Sequence, residues 1–292
     1  MNKGKNLIWI YPPNGWVSNF DKTFVYGWSN PKAKLFVNAQ KIKIFRNGNF
    51  AQTIKLPNRK NVVRLIQILG KKKTILKRKI SVGATFTVAQ NKCRGDQPVA
   101  QNQRAGARPA PTGNNMIIVI DPGHGGKEHG THSPKGIPEK YFNLQISKML
   151  YKKLQTKFKN VYITRNKDKF VSLKDRVNFA KKRKCNLLIS IHHNALPDNE
   201  DPMKHHGVGI YYTHDFVKPL ARRLLVSISK ETKLKKYGIF KRNFALTRPD
   251  FCHAVLIECG FLIHPVESEI ITQRKIQEKI VGGILNGIIS SH

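Results

Sequence analysis

The chain has 292 residues, more than the roughly 100–200 residues of one domain, so two domains are predicted. With 40% hydrophobic residues it can bury a core, which excludes an intrinsically disordered chain. Its formal net charge is +36. Such an excess predicts anionic partners and fast encounters with them, and it carries no information about the fold.

The positive charge is distributed unevenly along the chain. Residues 1–115 contain 22 basic and two acidic residues, whereas residues 116–292 contain 31 basic and 15 acidic residues. The first part is therefore typical of an attachment surface for a polyanion, such as nucleic acid, an anionic wall polymer or a lipid headgroup layer. The alternative interpretation is a general lysine-rich composition with no particular partner.

Neither the cysteines nor the apolar runs of the chain match a known structural or targeting signal. The spacing of Cys93, Cys185, Cys252 and Cys259 matches neither a zinc knuckle nor a disulfide framework, so free thiols are predicted. The apolar run 7–11 ends at two prolines and is shorter than the roughly 7–15 residues of a signal-peptide core. No run approaches the roughly 20 apolar residues of a membrane span. We therefore expect neither a signal peptide nor a membrane span in this chain, and no export route is visible.

Residues 1–83 have the pattern of a small all-β sandwich. Asn47-Gly48 between apolar runs is a strong hairpin signal, and strands that recur about every 8–12 residues favour a sandwich. The run "GWSNPKAKLFVN…NGNF" also resembles the immunoglobulin-like modules that precede bacterial wall and carbohydrate enzymes. Six strands are predicted, at residues 23–28, 34–38, 41–45, 49–56, 62–69 and 74–82.

The remaining chain is predicted to be a linker and an α/β domain. Residues 84–114 are rich in Gln, Ala, Asn, Gly and Pro, which predicts a flexible linker between domains that need not share a core. In residues 115–292 apolar strands alternate with helical patterns, which predicts a mostly parallel twisted sheet flanked by helices. Strands are predicted at residues 116–120, 161–164, 187–191, 207–212 and 254–258, and helices from about residue 139 and over about 172–184, 216–235 and 267–289.

Side chains that can bind a metal ion or transfer a proton lie at the ends of three of these strands. His124 follows the first strand, His192 follows the strand 187–191, and Glu258 ends the strand 254–258. Parallel strands end at one edge of a sheet, and the helix starting at Glu139 begins at that same edge. Two imidazoles and one carboxylate are the ligand set of a catalytic zinc ion, and a second glutamate suits a general base. This geometry favours His124, Glu139 and His192 as zinc ligands and Glu258 as the base.

Five motifs follow one another in the second domain: "IVIDPGHGG", "EKYFNL", "TRNKDKFVSLKDRVNFA", "LLISIHHNA" and "LIECGFLIHPVE". In sequence and in order they strongly resemble the motifs of the zinc-dependent N-acetylmuramoyl-L-alanine amidases of the amidase 3 type. The resemblance covers residues 116–290. It implies one zinc ion per active site, held by His124, Glu139 and His192, with Glu258 as the catalytic glutamate, and attack on a muramoyl-peptide amide.

Two histidines depart from the family pattern. His193 stands where the family usually has a small residue, and His264 where it often has Asn. Because neighbouring side chains on a strand point in opposite directions, only one of His192 and His193 can face a metal, and the pattern favours His192.

Other polar residues near the motifs are expected to support the site or to lie outside it. Asp121 and Asn194 are predicted to orient the metal ligands, and Arg176 to form a structural ion pair or hydrogen bond. A surface or hydrogen-bonded position, without metal ligation, is expected for His205, His206, His214 and His253.

The sequence therefore predicts a zinc-dependent amidase that cleaves peptidoglycan between N-acetylmuramic acid and L-alanine, in the cell wall, the periplasm or outside the cell. The basic N-terminal domain is predicted to bind an anionic wall polymer. A catalytically inactive wall-binding or activator protein is the alternative, and the presence of all four site residues argues against it. A nucleic-acid-binding protein is suggested by charge alone, since the basic residues are not interleaved with aromatic runs.

Overall fold

A computed structural model describes residues 6–83 and 115–290. Residues 6–83, here called the N-terminal module, form two sheets with strand orders β1-β3-β6 and β2-β8-β7-β4-β5. The predicted all-β character is confirmed; the short strands β1 and β2 were not predicted. The strands are β1 (Leu7–Tyr11), β2 (Trp16–Ser18), β3 (Lys22–Ser29), β4 (Lys34–Val37), β5 (Gln40–Ile42), β6 (Asn49–Lys55), β7 (Lys60–Leu69) and β8 (Lys72–Val82).

The core of the module lies between its two sheets. Strand alternation turns Val25 and Phe50 of one sheet toward Leu35, Leu65 and Ile80 of the other, and all five side chains are buried. The opposite face of the larger sheet is exposed to solvent and carries many of the basic residues of the module.

Residues 115–290, here called the catalytic domain after the predicted site residues that they contain, form a six-stranded sheet flanked by helices, as predicted. Its strand order is β10-β9-β11-β14-β12-β13. The first four strands in this order run parallel, β12 is antiparallel to β14, and β13 is parallel to β12. The elements are β9 (Ile117–Pro122), α1 (Glu139–Gln155), β10 (Asn160–Ile163), α2 (Leu173–Lys182), β11 (Leu187–Asn194), β12 (Val208–Tyr212), α3 (Lys218–Thr232), β13 (Lys236–Lys241), β14 (His253–Phe261), α4 (Glu267–Ile271) and α5 (Arg274–Ile289).

Both faces of this sheet are covered, which explains its continuous apolar strands. Ile118 and Ile120 of β9 pack on one side with Ile146 of α1 and Ile284 of α5, whereas Val119 packs on the other side with residues near α2. Strands buried on two faces have no alternation of polar and apolar residues. Among the described residues, no helix is long and apolar enough to span a membrane.

Three predicted details of the catalytic domain differ in the structure. The edge strand β13 was not predicted, because its apolar pattern is short and interrupted by Gly238. The predicted closing helix is two helices, α4 and α5. Strand β14 continues to Phe261 and so does not end at Glu258. Glu258 therefore lies within a strand, at a position whose backbone is held on both sides.

Besides the separate core of each, the two described parts of the chain share a small hydrophobic cluster. Phe24, Tyr26 and Ala51 of the module pack with Phe261 and Ile263 of the catalytic domain. The predicted linker 84–114 lies outside the described residues, so it stays a prediction together with the domain boundaries that it sets.

No disulfide bond joins the cysteines of the described residues. Cys185, Cys252 and Cys259 are all buried thiols. Cys93 lies outside the described residues.

Candidate active site

Three of the four predicted site residues converge at the carboxyl edge of the sheet. Nε2 of His124 lies 3.3 Å from Oε2 of Glu139, and Nδ1 of His192 lies 3.2 Å from Oε1 of the same carboxylate. One ligand atom from each residue lies within 4.8 Å of the others, close enough for all three to hold one metal ion. Glu139 is the first residue of α1, His124 follows β9, and His192 lies in β11.

The turn after β9 has a conformation suited to this convergence. A Cβ atom on Gly123 would lie 2.3 Å from the His192 ring, so only glycine lets the ring approach the strand end. His124 adopts a positive φ of 58°, which is rare for a residue with a side chain. Its carbonyl oxygen accepts a 2.7 Å hydrogen bond from Arg176, which holds this conformation. Strained backbone of this kind is common at functional sites.

Glu139 is buried, and its carboxylate is oriented by several donors. Oε2 accepts a hydrogen bond from the backbone N–H of Thr131 at 3.0 Å, and Oε1 accepts one from Asn143 Nδ2 at 2.9 Å. Burial by itself would raise the pKa of Glu139, but the hydrogen bonds with His124 and His192 outweigh it and hold the pKa well below its usual value. The carboxylate is thus ionised and fixed in place, as a metal ligand must be.

His193 makes contacts different from those of its neighbour His192. Its backbone N–H donates to Glu139 at 3.0 Å, and its Nδ1 lies 2.8 Å from Oδ1 of Asn143. Burial lowers the pKa of His193 to about 4, so the ring stays neutral near pH 7. The expectation that only one of the two rings joins the cluster agrees with these contacts.

Glu258 lies beside the three-residue cluster but outside it. It pairs in register with His192 across the parallel strands β11 and β14. Its Oε2 atom is buried and has no hydrogen-bond partner in the described part of the chain. Burial raises the pKa of Glu258 well above its usual value, and the nearby Glu139 carboxylate raises it further. A carboxyl group with a raised pKa can take up and release a proton near neutral pH.

Asp121 and Arg176 form the ion pair that was predicted for Arg176. The two groups are 2.8 Å apart and almost fully buried. Asp121 also accepts hydrogen bonds from Thr164 at 2.6 Å and Ser190 at 2.8 Å. Because Arg176 also donates to the carbonyl oxygen of His124, Asp121 is linked to this candidate ligand through Arg176.

Sequence reasoning missed two residues that support the site. Asn143 lies four residues after Glu139 on α1, and this spacing on one helix face could have identified it. Arg165 follows β10 at the same sheet edge and donates to the carbonyl oxygens of Pro122 at 3.0 Å and Gly123 at 2.7 Å. It thereby fixes the turn that carries His124. Its position directly after a strand was the available signal.

The remaining histidines lie outside the metal-competent cluster that the described residues form. His205 pairs with Glu200 at 3.0 Å, and His214 lies 2.7 Å from the carbonyl oxygen of Arg248. Nδ1 of His264 accepts hydrogen bonds from two backbone N–H groups at the start of α4. An asparagine side-chain oxygen at this position could accept the same bonds.

The donor set fits a catalytic metal ion. Two imidazole nitrogens and one carboxylate oxygen converge, and Asn143 and Thr131 orient the carboxylate. The side chains of His124 and His192 are 29% and 19% exposed, so solvent and substrate can reach the side opposite the protein. A metal bound by three protein ligands with an accessible fourth position, beside an unpaired carboxyl group, is the arrangement of a metal-dependent hydrolase.

Comparison with known proteins identifies the family. The profile of the N-acetylmuramoyl-L-alanine amidase family matches residues 118–290, and the chain belongs to this family. It is 34% identical over 173 residues to "Probable cell wall amidase LytH" of Staphylococcus epidermidis, a match covering 59% of this chain and 56% of that protein. A match to the protein of the same name in Staphylococcus aureus is 30% identical and covers the same shares. The chain thus spans little more than half the length of these relatives.

Solved structures of amidases have the same fold as the catalytic domain. An N-acetylmuramoyl-L-alanine amidase from Clostridium difficile 630 matches with a TM-score of 0.57 and 36% identity, over 61% of this chain and 97% of that chain. The catalytic domain of CwlV from Bacillus (Paenibacillus) polymyxa matches with a TM-score of 0.56 and 31% identity, over 59% and 96% of the two chains. Both matches cover nearly all of the other structure, so the amidase fold is complete in this chain.

Proposed function

We propose that this protein hydrolyses the amide bond between N-acetylmuramic acid and L-alanine in peptidoglycan, with zinc as its metal. The observation that carries the proposal is the cluster of His124, Glu139 and His192 at the carboxyl edge, with Glu258 beside it. Membership of the amidase family supports the substrate. Nitrogen and oxygen ligands with an open fourth position favour zinc.

Each residue has a defined part in this reaction. His124, Glu139 and His192 would hold the zinc ion, which supplies Lewis-acid chemistry by polarising a carbonyl group and lowering the pKa of water. As the oxygen of the attacking water bonds to the carbonyl carbon, Glu258 accepts a proton from that water. Glu258 then donates the proton to the amide nitrogen as the C–N bond breaks. The raised pKa of Glu258 suits both transfers.

The alternative of an inactive wall-binding or activator protein is disfavoured by the state of the site. All four residues are present, and the buried Glu258 oxygen has no hydrogen-bond partner among the described residues. Such an atom costs folding stability, so its presence favours a role in catalysis. The test is digestion of purified peptidoglycan by the full chain, with and without a chelator, followed by mass spectrometry. We expect free stem peptides beginning with L-alanine, and none after chelation until zinc is restored. Intact muramoyl-peptide bonds after digestion with the zinc-loaded protein would contradict the proposal.

The family also points to the place of action. The matched relatives bear the name of cell wall amidases. We propose that this protein likewise acts in the cell wall, the periplasm or outside the cell, since that is where its substrate lies.

The basic surface of the N-terminal module supports a second proposal, that the protein also binds an anionic polymer of the wall. Directly paired residues on the exposed face of its larger sheet include Arg64 with Lys77 and Val62 with Lys79. Further basic residues share this face, and Asp21 is the only acidic residue among residues 6–83. We call this surface the basic sheet face; its members are Lys34, Phe36, Lys41, Val62, Arg64, Ile66, Ile68, Lys73, Ile75, Lys77 and Lys79.

A surface with positive charges and hardly any acids attracts a polyanion over about 8 Å at physiological salt. Binding to purified wall sacculi should therefore weaken steeply as salt rises. It should also fall when the anionic polymers are stripped chemically from the wall. Equal binding to stripped and unstripped wall, or tighter binding to duplex DNA than to wall at the same salt, would contradict this proposal.

A further inference from the structure

The N-terminal module contacts the catalytic domain at three loops that belong to the active-site edge. These loops follow β9, β11 and β14, the strands that bring His124, His192 and Glu258 to the site. Module residues from β1, β2, β3 and β6 and from the turn before β6 make the contacts. The contacts therefore coincide with the site-bearing loops, although a tether could have attached anywhere on the domain.

Asp198 is the centre of the first contact. It lies four residues after Asn194, in the loop that follows β11, and is only 9% exposed. Its carboxylate accepts hydrogen bonds from the Tyr11 hydroxyl, from Trp16 Nε1 at 2.9 Å and from Thr23 Oγ1 at 3.5 Å. All three donors belong to the module. A buried carboxylate whose partners come from another part of the chain fixes the two parts together, since losing those partners would leave it unpaired.

The second contact holds the loop after β14. Asn47 Nδ2 and Asn49 Nδ2 donate to the carbonyl oxygen of Pro265 at 2.9 and 2.8 Å. Asn49 is buried and also lies 3.3 Å from the hydroxyl of Ser268. Phe261, the last residue of β14, belongs to the shared hydrophobic cluster. This contact begins three residues after Glu258 on the same strand.

The third contact holds the loop before α1. The Tyr26 hydroxyl donates to the carbonyl oxygen of His132 at 3.1 Å. The adjacent residue Thr131 donates its backbone N–H to Glu139 at 3.0 Å and accepts the backbone N–H of Glu139 at 2.8 Å. Tyr26 is thus separated from a metal-site carboxylate by one short segment of backbone.

We infer that the N-terminal module is a positioning element of the active site, acting through Tyr26, Asp198 and the carbonyl of Pro265. The inference rests on the proposed amidase function. It assigns the module a contribution to turnover that is separate from wall attachment. A displacement of about 1 Å in a catalytic arrangement can cost roughly 100-fold in rate, so loosening these loops lowers turnover even of a small soluble substrate.

The test uses the full chain and a soluble muropeptide, which removes wall attachment from the measurement. Asp198→Asn replaces an acceptor by a group that cannot accept all three bonds, and Tyr26→Phe deletes a single hydroxyl. We expect kcat to fall about tenfold in Asp198→Asn and about threefold in Tyr26→Phe, with KM changed less than about twofold, as positioning contacts act mainly on the transition state.

Tyr162→Phe is the matched control. Tyr162 lies on β10 at the far edge of the sheet, is 36% exposed, and its hydroxyl has no hydrogen bond to the described residues. This variant should keep wild-type kcat and KM. Circular dichroism and zinc content are measured for every variant, so that lost folding or lost metal is separated from lost positioning.

A double-mutant cycle distinguishes positioning through Asp198 from general destabilisation. Tyr11→Phe should lower kcat in the wild-type chain and have little further effect in Asp198→Asn, because the partner of the hydroxyl is already altered. Wild-type kcat in both folded Asp198→Asn and folded Tyr26→Phe, or additive effects in the cycle, would overturn the inference. If the unmodified chain itself fails to cleave the muropeptide, the proposed function fails instead.

Discussion

The N-terminal module and the catalytic domain use charge in opposite ways. Residues 6–83 contain 16 basic residues and one acidic residue, and no basic residue there has a carboxylate partner among the described residues. In the catalytic domain, Arg176 and Asp121 form a buried ion pair, and Arg176 also donates to the carbonyl oxygen of His124. Nearly all of the basic side chains of the module are exposed to solvent, Arg78 being the exception. The buried charges of the catalytic domain instead hold strand ends and turns in place.

The two regions also differ in the free energy that it costs to place their charged groups. Unpaired cations that are exposed to solvent lose little hydration, so the module can carry fifteen of them without a core to support them. A buried pair is tolerated only when both partners are satisfied. Substitutions in the two regions should therefore differ in kind: those in the catalytic domain affect turnover or folding, and those on the basic sheet face affect wall binding alone.

The largest effect is expected at Glu258. Glu258→Gln keeps the size of the side chain and removes the proton acceptor, so turnover should fall by about 10²–10⁴-fold while zinc is retained. Glu139→Gln should instead weaken zinc binding itself. Turnover and zinc content by elemental analysis are measured on both variants. Loss of zinc in Glu258→Gln, with zinc retained in Glu139→Gln, would mean that the two roles are exchanged.

The next effect concerns folding. Arg176→Met leaves Asp121 buried without its cation, and removing one partner of a buried pair costs about 3–5 kcal/mol of stability. Lys241→Met is the control, because its pair with Asp215 is exposed and worth at most about 1 kcal/mol. Urea unfolding of both variants gives the comparison. Similar losses of unfolding free energy in the two would contradict the contrast between buried and exposed charge.

A smaller effect is expected on the basic sheet face. Replacing three of its lysines by glutamine should weaken wall binding about tenfold, at roughly 0.5 kcal/mol for each exposed charge, and flatten its salt dependence. Turnover of soluble muropeptide should not change. The substituted residues are Lys73, Lys77 and Lys79.

The matched control removes the same charge from the catalytic domain. Three exposed lysines on and just after α1 are replaced by glutamine, namely Lys148, Lys152 and Lys157. Equal loss of wall binding in the two triple variants would show that net charge, and not this face, attracts the polymer.

The smallest effect is a change in acid sensitivity. Burial, with a further effect of His206, lowers the pKa of His264 to about 4, against roughly 6.5 in an unfolded chain. Between these two pH values the unfolded state binds the proton first, so stability falls as pH falls from about 6.5 toward 4. His264→Asn keeps an acceptor for the α4 backbone and removes this titration.

Unfolding free energies at pH 7 and pH 5 test this prediction. The decrease in unfolding free energy from pH 7 to pH 5 should be smaller in His264→Asn than in the wild type. The decrease should not vanish, because the pKa of His193 is lowered in the same way. An unchanged drop would show that His264 does not titrate with folding.

The sequence by itself determined the fold class of both regions and predicted that His124, Glu139 and His192 lie close together. These conclusions depended on local signals: apolar runs that alternate with helical periods, and polar residues where strands end. Since parallel strands end at one edge of a sheet, the sequence alone places His124 and His192 close together. The fold class and the family are confirmed. The roles of His124, Glu139, His192 and Glu258 stay predictions.

Tertiary structure alone decided which supporting residues act on the site and how the two regions meet. Asp198 is one of three acidic residues in the loop that follows β11, and its partner Tyr11 is 187 positions away along the chain. No periodicity or spacing links residues so far apart, because their contact depends on how two separately formed sheets pack. For the same reason, the packing of Tyr26 against the catalytic domain could not be predicted from the sequence. Local patterns determine elements, whereas contacts between distant elements depend on the three-dimensional packing of complementary surfaces.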